Sequence, residues 1–232
     1  MTPSLSHWIN KKHLEKEAIA SIQNIPPEEY KRGIILDDFL LKEKADAIFH
    51  FVEEEAKFED HYKIKAQQKP VEESVFSQTP DKERFLSRLK VSGAKEAGSM
   101  SKNWLIYTLL LNFCEKDLPR YLEAVTGDSL FCSVQMTYSH THEHFIRRHS
   151  DYKPERKICL VLYLSKNWQK GDGGELVMED DRGNAKSIEN IYNRLVIFQP
   201  NEETMHYVKP HSEQGKEKNR ICHVAWFHEK PL

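Results

Sequence analysis

The residues with the clearest chemical potential lie in the second half of the chain, where His149 and Asp151 are separated by one residue. On a strand, positions two apart leave the same face, so an imidazole and a carboxylate would be offered to one point. Alone, an H-x-D tripeptide is unspecific, and a surface histidine beside a surface aspartate is the simpler account of it. Its context changes that balance. The apolar stretch Asn193-Arg194-Leu195-Val196-Ile197-Phe198 leads to Met205-His206-Tyr207-Val208-Lys209-Pro210, and then to a strand-like run from Arg220 to Phe227. His149, Asp151 and His206 supply two neutral nitrogens and one anionic oxygen. Such a set covers one face of an octahedral metal ion and leaves three positions open, the donor pattern of non-haem Fe(II). With Fe(II) the ligands leave a net charge of about +1, which favours a chelating, anionic co-substrate. Arg220, fourteen residues after His206, could hold the far carboxylate of that anion in a bidentate pair.

These residues need rigid elements to bring them together, and the chain changes character to supply them. The first half reads mainly helical. Lys11 to Asn24 suits a helix stopped by Pro26 and Pro27, Gly33 to Leu36 a short buried strand, and Leu41 to Glu55 a helix with Ala45, Ile48, Phe51 and Val52 on one stripe. The polar stretch 65–82, carrying Pro70 and Pro80, reads as a long surface loop, of the kind that can close over a site. Two further helices fall at Lys102 to Phe113 and Leu118 to Val125, the second ended by Gly127. Beyond Gly127 the period becomes two: Leu130, Cys132, Val134, Met136 and Tyr138 alternate with their neighbours. Further strand candidates are 144–151, 157–164, 175–179, 185–190, 194–199, 206–210 and 220–228. About eight short strands after a helical opening predict an α+β fold, a jelly roll packed against the preceding helices. We expect one domain over 1–232, with 1–127 mainly helical support and 128–232 the jelly-roll core.

Composition narrows the function classes. Among 232 residues, 30% are charged and 39% hydrophobic, and Lys plus Arg (34) against Asp plus Glu (36) leaves a formal charge of −2. Nucleic-acid binding needs a basic surplus that is missing here. The longest apolar stretch, Trp104 to Phe113, is too short for a membrane span, and no charged-then-apolar leader opens the chain. Four cysteines without C-x-x-C spacing read as reduced thiols in a cytoplasmic setting.

In motif order the sequence resembles the Fe(II)/2-oxoglutarate-dependent dioxygenases, in their prolyl-hydroxylase-like branch, from about Leu118 to Phe227. The motifs are His149-Ser150-Asp151, Tyr163-Leu164-Ser165-Lys166-Asn167-Trp168, Gly173-Gly174-Glu175-Leu176, Asn193-Arg194-Leu195-Val196, His206-x-Val208-x-Pro210, and Arg220 followed by Trp226-Phe227. The resemblance implies a double-stranded β-helix, Fe(II) held by His149, Asp151 and His206, and 2-oxoglutarate and O2 as co-substrates. It implies Arg220 and Tyr163 on the C5 carboxylate of 2-oxoglutarate, Tyr138 near the co-substrate, and ascorbate as reductant. The implied reaction hydroxylates an unactivated C–H bond, foremost of a prolyl residue in a protein or peptide, and releases succinate and CO2. Two departures stand out: a polar insertion, His211 to Asn219, and a segment Ser139 to His144 without the glycines of many relatives. Strand parity offers a separate check. Cys159 and Val161 share the face of Tyr163, and Cys222, Val224 and Trp226 share that of Arg220, giving mostly apolar walls with one polar anchor each.

Other residues keep alternative readings. His140, His142 and His144 alternate and could form a second metal site, though a solvated loop accounts for them more simply. His211 competes with His206 as third ligand, and the Val-x-Pro after His206 favours the latter. Arg147 shares parity with His149 and Asp151 and could meet an acidic substrate, or simply be exposed. Trp226 borders the pocket or belongs to the core. His223 and His228 point away. Two rivals to the peptide hydroxylase stand: a hydroxylase of a free amino acid or small metabolite, and a non-catalytic metal-binding jelly roll.

Overall fold

The computed structural model describes residues 3–67, 69–96 and 100–231. Eleven strands form among these residues: β1 (Ile34–Leu36), β2 (Ala56–Ile64), β3 (Arg84–Ala94), β4 (Leu130–His140), β5 (Phe145–Ile146), β6 (Arg156–Tyr163), β7 (Leu176–Glu179), β8 (Ala185–Ile188), β9 (Leu195–Phe198), β10 (Met205–Val208) and β11 (Arg220–Glu229). The major sheet runs β1-β9-β6-β11-β4-β3-β2, with β5 beside β3, and the minor sheet runs β10-β7-β8. The helices are α1 (Pro3–Ser6), α2 (Lys16–Gln23), α3 (Pro27–Lys31), α4 (Lys42–His50), α5 (Glu73–Gln78), α6 (Lys102–Lys116) and α7 (Leu118–Thr126). No helix among the described residues is long and apolar enough to cross a membrane.

Strand alternation sorts the side chains of the major sheet between two environments. Ile158, Leu160 and Leu162 of β6, Leu195 and Ile197 of β9, and Ile221, Ala225 and Phe227 of β11 join the helices in one apolar core. The opposite faces carry Cys159, Tyr163, Val196, Phe198, Cys222 and Tyr138, which pack against Leu176, Met178 and Ile188 of the minor sheet. The result is a jelly roll with helices on one outer face. Local chemistry places the helices: Ser101 Oγ accepts the Trp104 amide at the start of α6, and Gly127 (φ +82°) ends α7 in the left-handed region. Asn193 ties the N-terminal segment to the barrel, accepting from the Leu40 amide at 3.0 Å and donating to the Leu40 carbonyl at 2.8 Å. Arg194 adds a forked pair to Asp37 at 2.5 and 3.0 Å.

Several local expectations change. The helix expected over Lys11 to Asn24 splits into a 3-10 turn, Lys11–His13, and α2. The 65–82 stretch contains α5 and a further 3-10 turn, Asp81–Glu83. The first half supplies mostly helices, yet β2 and β3, which periodicity does not announce, form a long antiparallel hairpin extending the major sheet. Their inward residues include His61, Lys63 and Arg88, so the usual apolar-in pattern is absent. The strand expected over 144–151 shrinks to β5, and His149 lies beyond it in an isolated bridge to His206.

Candidate active site

A cavity of about 670 Å3 opens between the sheets, within the usual range for small-molecule sites. Met136, Tyr138 and His140 of β4 line it, with Arg220, Cys222, Val224 and Trp226 of β11, and Cys159 and Val161 of β6. The β6 and β11 residues lie on the faces that parity assigned to the pocket walls.

His149, Asp151 and His206 converge at this cavity, with one donor atom from each lying within 4.8 Å of the others. The convergence is built by backbone pairing rather than by one strand's alternation. The His149 amide donates to the His206 carbonyl at 2.9 Å, and the His206 amide donates back at 2.8 Å. The bridge sets the two imidazole centroids 4.1 Å apart. Asp151, past the bridge in irregular chain, places its oxygens 3.8 Å from His149 Nε2 and 3.5 Å from His206 Nε2. His149 Nδ1 lies 2.7 Å from the Arg147 carbonyl; donation there leaves the Nε2 lone pair free for a ligand. Asp151 accepts from the Trp226 indole at 3.1 Å, and Arg156 donates to its backbone carbonyl at 2.6 Å. Burial and the adjacent His206 press the His149 pKa down to about 4. Burial also opposes ionisation of Asp151, but His206, His149 and the indole hold its carboxyl well below the ordinary range. A neutral imidazole at His149 and an ionised carboxylate at Asp151 are states a divalent metal requires of its ligands.

Arg220 is the bulkiest fully buried side chain among the described residues, 1% exposed. Its Nε donates to the Gly174 carbonyl at 2.8 Å and its Nη1 approaches Cys222 Sγ at 3.5 Å. No carboxylate among the described residues pairs with it. Gly174 permits this approach, since it has φ +67° and a Cβ there would lie 2.7 Å from Trp168 and 3.0 Å from Arg220. The Tyr163 ring lies 5.2 Å from the guanidinium, and its buried hydroxyl has no partner. Burial raises the Tyr163 pKa to about 12, so that hydroxyl remains a donor. An unpaired guanidinium beside an orphaned phenol suits the carboxylate of an anionic co-substrate. Tyr138 lines the cavity, and its hydroxyl donates to Met136 Sδ at 2.6 Å.

Other candidates are redistributed. Arg147 turns away from the cavity, held by the Arg84 carbonyl at 2.8 Å and by Asp81 at 2.9 Å. His140 is buried against the cavity with both ring nitrogens unpartnered, so the solvated-loop account of the 140–144 histidines fails at that position. Trp226 lines the cavity and steadies Asp151. His211 packs against Trp168, centroids 4.9 Å apart, outside the metal-capable cluster. His223 points to the helix side and meets Thr137 Oγ1 at 2.9 Å. Sequence reasoning missed Arg88 of β3, 7% exposed, whose guanidinium lies 3.3 Å from the Tyr138 ring centroid. Its signal was hidden because β3 was not expected.

Comparison with known proteins adds three findings. Residues 134–228 match the model described as the 2OG-Fe(II) oxygenase superfamily. Over 122 residues the chain is 30% identical to a Xenopus laevis protein named prolyl 3-hydroxylase OGFOD1, a match covering 49% of this chain and 23% of that protein. The chain thus spans about a quarter of that relative's length. Among solved structures, a Pseudomonas putida prolyl-4-hydroxylase aligns at TM-score 0.56 and 18% identity, covering 91% of this chain and 99% of that one. A Trichoplax adhaerens prolyl hydroxylase in complex with a hypoxia inducible factor peptide fragment aligns at 0.59 and 13% identity, covering 95% and 94%. At these identities the structural likeness shows the fold, a double-stranded β-helix.

Proposed function

We propose that the chain, whose residues 134–228 match the 2OG-Fe(II) oxygenase superfamily, is one Fe(II)- and 2-oxoglutarate-dependent hydroxylase domain. One observation carries the reading: the His149, Asp151 and His206 donors meet on the same cavity as a buried arginine that lacks a carboxylate. In this reading those three residues hold Fe(II). Arg220 and Tyr163 bind the C5 carboxylate of 2-oxoglutarate, and Tyr138 borders the co-substrate. Bound iron supplies the O2 chemistry that couples oxidative decarboxylation of 2-oxoglutarate, to succinate and CO2, with insertion of one oxygen atom into a substrate C–H bond.

The chain's own residues do the positioning. The bridge between His149 and His206 fixes two donors on backbone, and the Arg147 carbonyl selects the His149 tautomer. Trp226 and Arg156 orient Asp151. Arg220 orients the co-substrate, while Cys159, Val161 and Val224 keep the surroundings apolar. The substrate is a prolyl residue in a protein or peptide, a reading supported by the names of the relatives. Ascorbate would serve as reductant, and the four unpaired thiols suit a reducing, cytoplasmic setting. The test is succinate release from 2-oxoglutarate with Fe(II), with and without prolyl peptides. Turnover is expected to be stimulated by peptide and lost in His149→Ala and Asp151→Ala. Stimulation by free amino acids alone would favour the small-molecule rival. Failure of the wild-type protein to bind either Fe(II) or 2-oxoglutarate would favour a non-catalytic jelly roll.

A further inference from the structure

The chain as a whole carries a formal charge of −2, yet its cavity is basic. Asp151 is its one acidic lining residue among those described. Arg220 and Arg156 are committed at the floor, and Arg148 at the rim pairs with Glu179 at 2.5 Å. Four basic lining residues remain: Lys63, Lys65, Arg88 and Lys153. None of the four pairs with a carboxylate among the described residues. They are graded in depth: Arg88 is buried, Lys63 half-buried, and Lys65 and Lys153 exposed. The β2–β3 register sets Arg88 opposite His61 and Lys63 opposite Leu86, so the two cations share the inward face of the hairpin. Arg88 Nε has no hydrogen-bond partner. A guanidinium this buried is costly unless an anion meets it.

We propose that this side of the cavity selects an acidic peptide, seating one substrate carboxylate on Arg88 and further acidic side chains on Lys63, Lys65 and Lys153. The proposal rests on the hydroxylase reading and specifies its substrate class. A run of cations from the buried interior to the open rim is longer than a single carboxylate can use, which favours an extended chain over a free amino acid. Arg88 lies over Tyr138 rather than against Tyr163, so the carboxylate it holds is separate from the one assigned to Arg220. It acts by binding and takes no part in bond breaking.

The experiment uses protein loaded with Fe(II) and 2-oxoglutarate without O2, so that peptides bind but do not react. Fluorescent prolyl peptides flanked by Asp/Glu, by Gln/Asn or by Lys are titrated by anisotropy, and 2-oxoglutarate affinity is measured by calorimetry on the same preparations. The acidic peptide should bind about 10-fold or more tighter than the neutral one, with a preference that shrinks as salt rises. Arg88→Gln should weaken the acidic peptide by about 10–100-fold and leave the neutral peptide nearly unchanged, with Arg88→Lys restoring part of the loss. Lys65→Glu with Lys153→Glu, both at exposed positions that do not threaten folding, should lower the preference independently. Equal binding of acidic and neutral peptides, with 2-oxoglutarate still bound, overturns the proposal and leaves the hydroxylase reading intact. Loss of 2-oxoglutarate rather than peptide affinity in Arg88→Gln reassigns the arginine and overturns it too. A free acidic amino acid that binds as tightly as the peptide overturns the extended occupant. No 2-oxoglutarate binding by the wild type removes both readings.

Discussion

Arg220→Leu separates a binding role from a structural one, because the two predict opposite effects. In the ligand-free protein the guanidinium is 1% exposed and makes one good hydrogen bond, to the Gly174 carbonyl. Removing it leaves that carbonyl unpaired, a cost of about 1–3 kcal/mol. It also removes a buried charge that has no carboxylate partner, relieving a desolvation penalty of several kcal/mol. The two effects offset, so the unliganded variant should unfold within about 2 kcal/mol of the wild type. With 2-oxoglutarate the balance changes, since truncating one partner of a buried charge pair costs about 2–5 kcal/mol, or about 30-fold to a few thousand-fold in Kd. Thermal unfolding with Fe(II) under anaerobic conditions reads both effects. At about 100 times Kd the co-substrate adds ~2.7 kcal/mol to the wild type, or about 5–10 °C in Tm for a chain of this size. At that concentration the variant should keep at most about 0.9 kcal/mol of this, a shift of about 3 °C or less. A variant destabilised by more than about 3 kcal/mol without ligand, yet retaining the ligand-induced shift, would make Arg220 a purely structural residue.

Three other outcomes follow from the same geometry. Tyr163→Phe removes a buried hydroxyl that has no partner, so the ligand-free protein should be as stable or slightly more so, while 2-oxoglutarate affinity by calorimetry falls about 2–10-fold. Unchanged affinity would remove Tyr163 from the co-substrate site. Gly174→Ala puts a Cβ 2.7 Å from Trp168 and 3.0 Å from Arg220 at φ +67°, which should cost about 1–3 kcal/mol in denaturant unfolding and weaken 2-oxoglutarate by displacing the guanidinium. Wild-type stability with normal affinity would contradict that packing. For pH, burial lowers the His223 pKa to about 4, so the fold holds its neutral form and the unfolded chain takes up the proton first. Its contribution is complete above about pH 6.5 and declines as pH falls towards 4, by up to ~1.4 kcal/mol per pH unit. His223→Gln should flatten the acid limb of a stability–pH curve by that one proton, and an unchanged slope would show that His223 does not titrate with unfolding.

The site was more legible in the sequence than the frame around it. His149, Asp151, His206, Tyr163 and Arg220 stand in motifs of fixed order; β4 shows a period of two through Val134, Met136 and Tyr138, which line the cavity, while β6, β9 and β11 read as short apolar runs because both of their faces are buried. The same signal failed for β2 and β3. Their inward positions carry His61, Lys63 and Arg88, the last two lining the cavity rather than a dry core, so hydrophobic alternation does not mark them. The segment 144–151 failed differently. It was expected as a strand that would set His149 and Asp151 on one face. The chain leaves β5 after Ile146, and a single bridge to His206 does the aligning, a long-range pairing that no local period encodes. Arg147 illustrates the consequence. Parity aimed it at the cavity, but outside a regular strand parity does not hold, and it turns to Asp81.

The division of the major sheet into two faces explains how unsatisfied polarity is tolerated on the cavity side. Tyr163 Oη, both nitrogens of His140 and Arg88 Nε are buried without partners on the cavity side. Each costs about 1–3 kcal/mol in the unliganded protein, a sum comparable with the whole stability of an ordinary domain. The opposite face of the same strands is filled by Ile158, Leu160, Leu162, Leu195, Ile197 and Phe227 against the helices, and that core holds the strands in register without help from the cavity. An apolar filling of the cavity face would make the fold more stable and leave nothing for an anion to bind. Ligands that restore the missing partners recover the cost on binding, so co-substrate and substrate should each raise stability by completing the jelly roll's inner face. Two of the three residues of the metal-capable cluster, His149 and His206, are paired backbone to backbone at the edge of the minor sheet, so the cluster is set by that pairing rather than by the cavity's own contents.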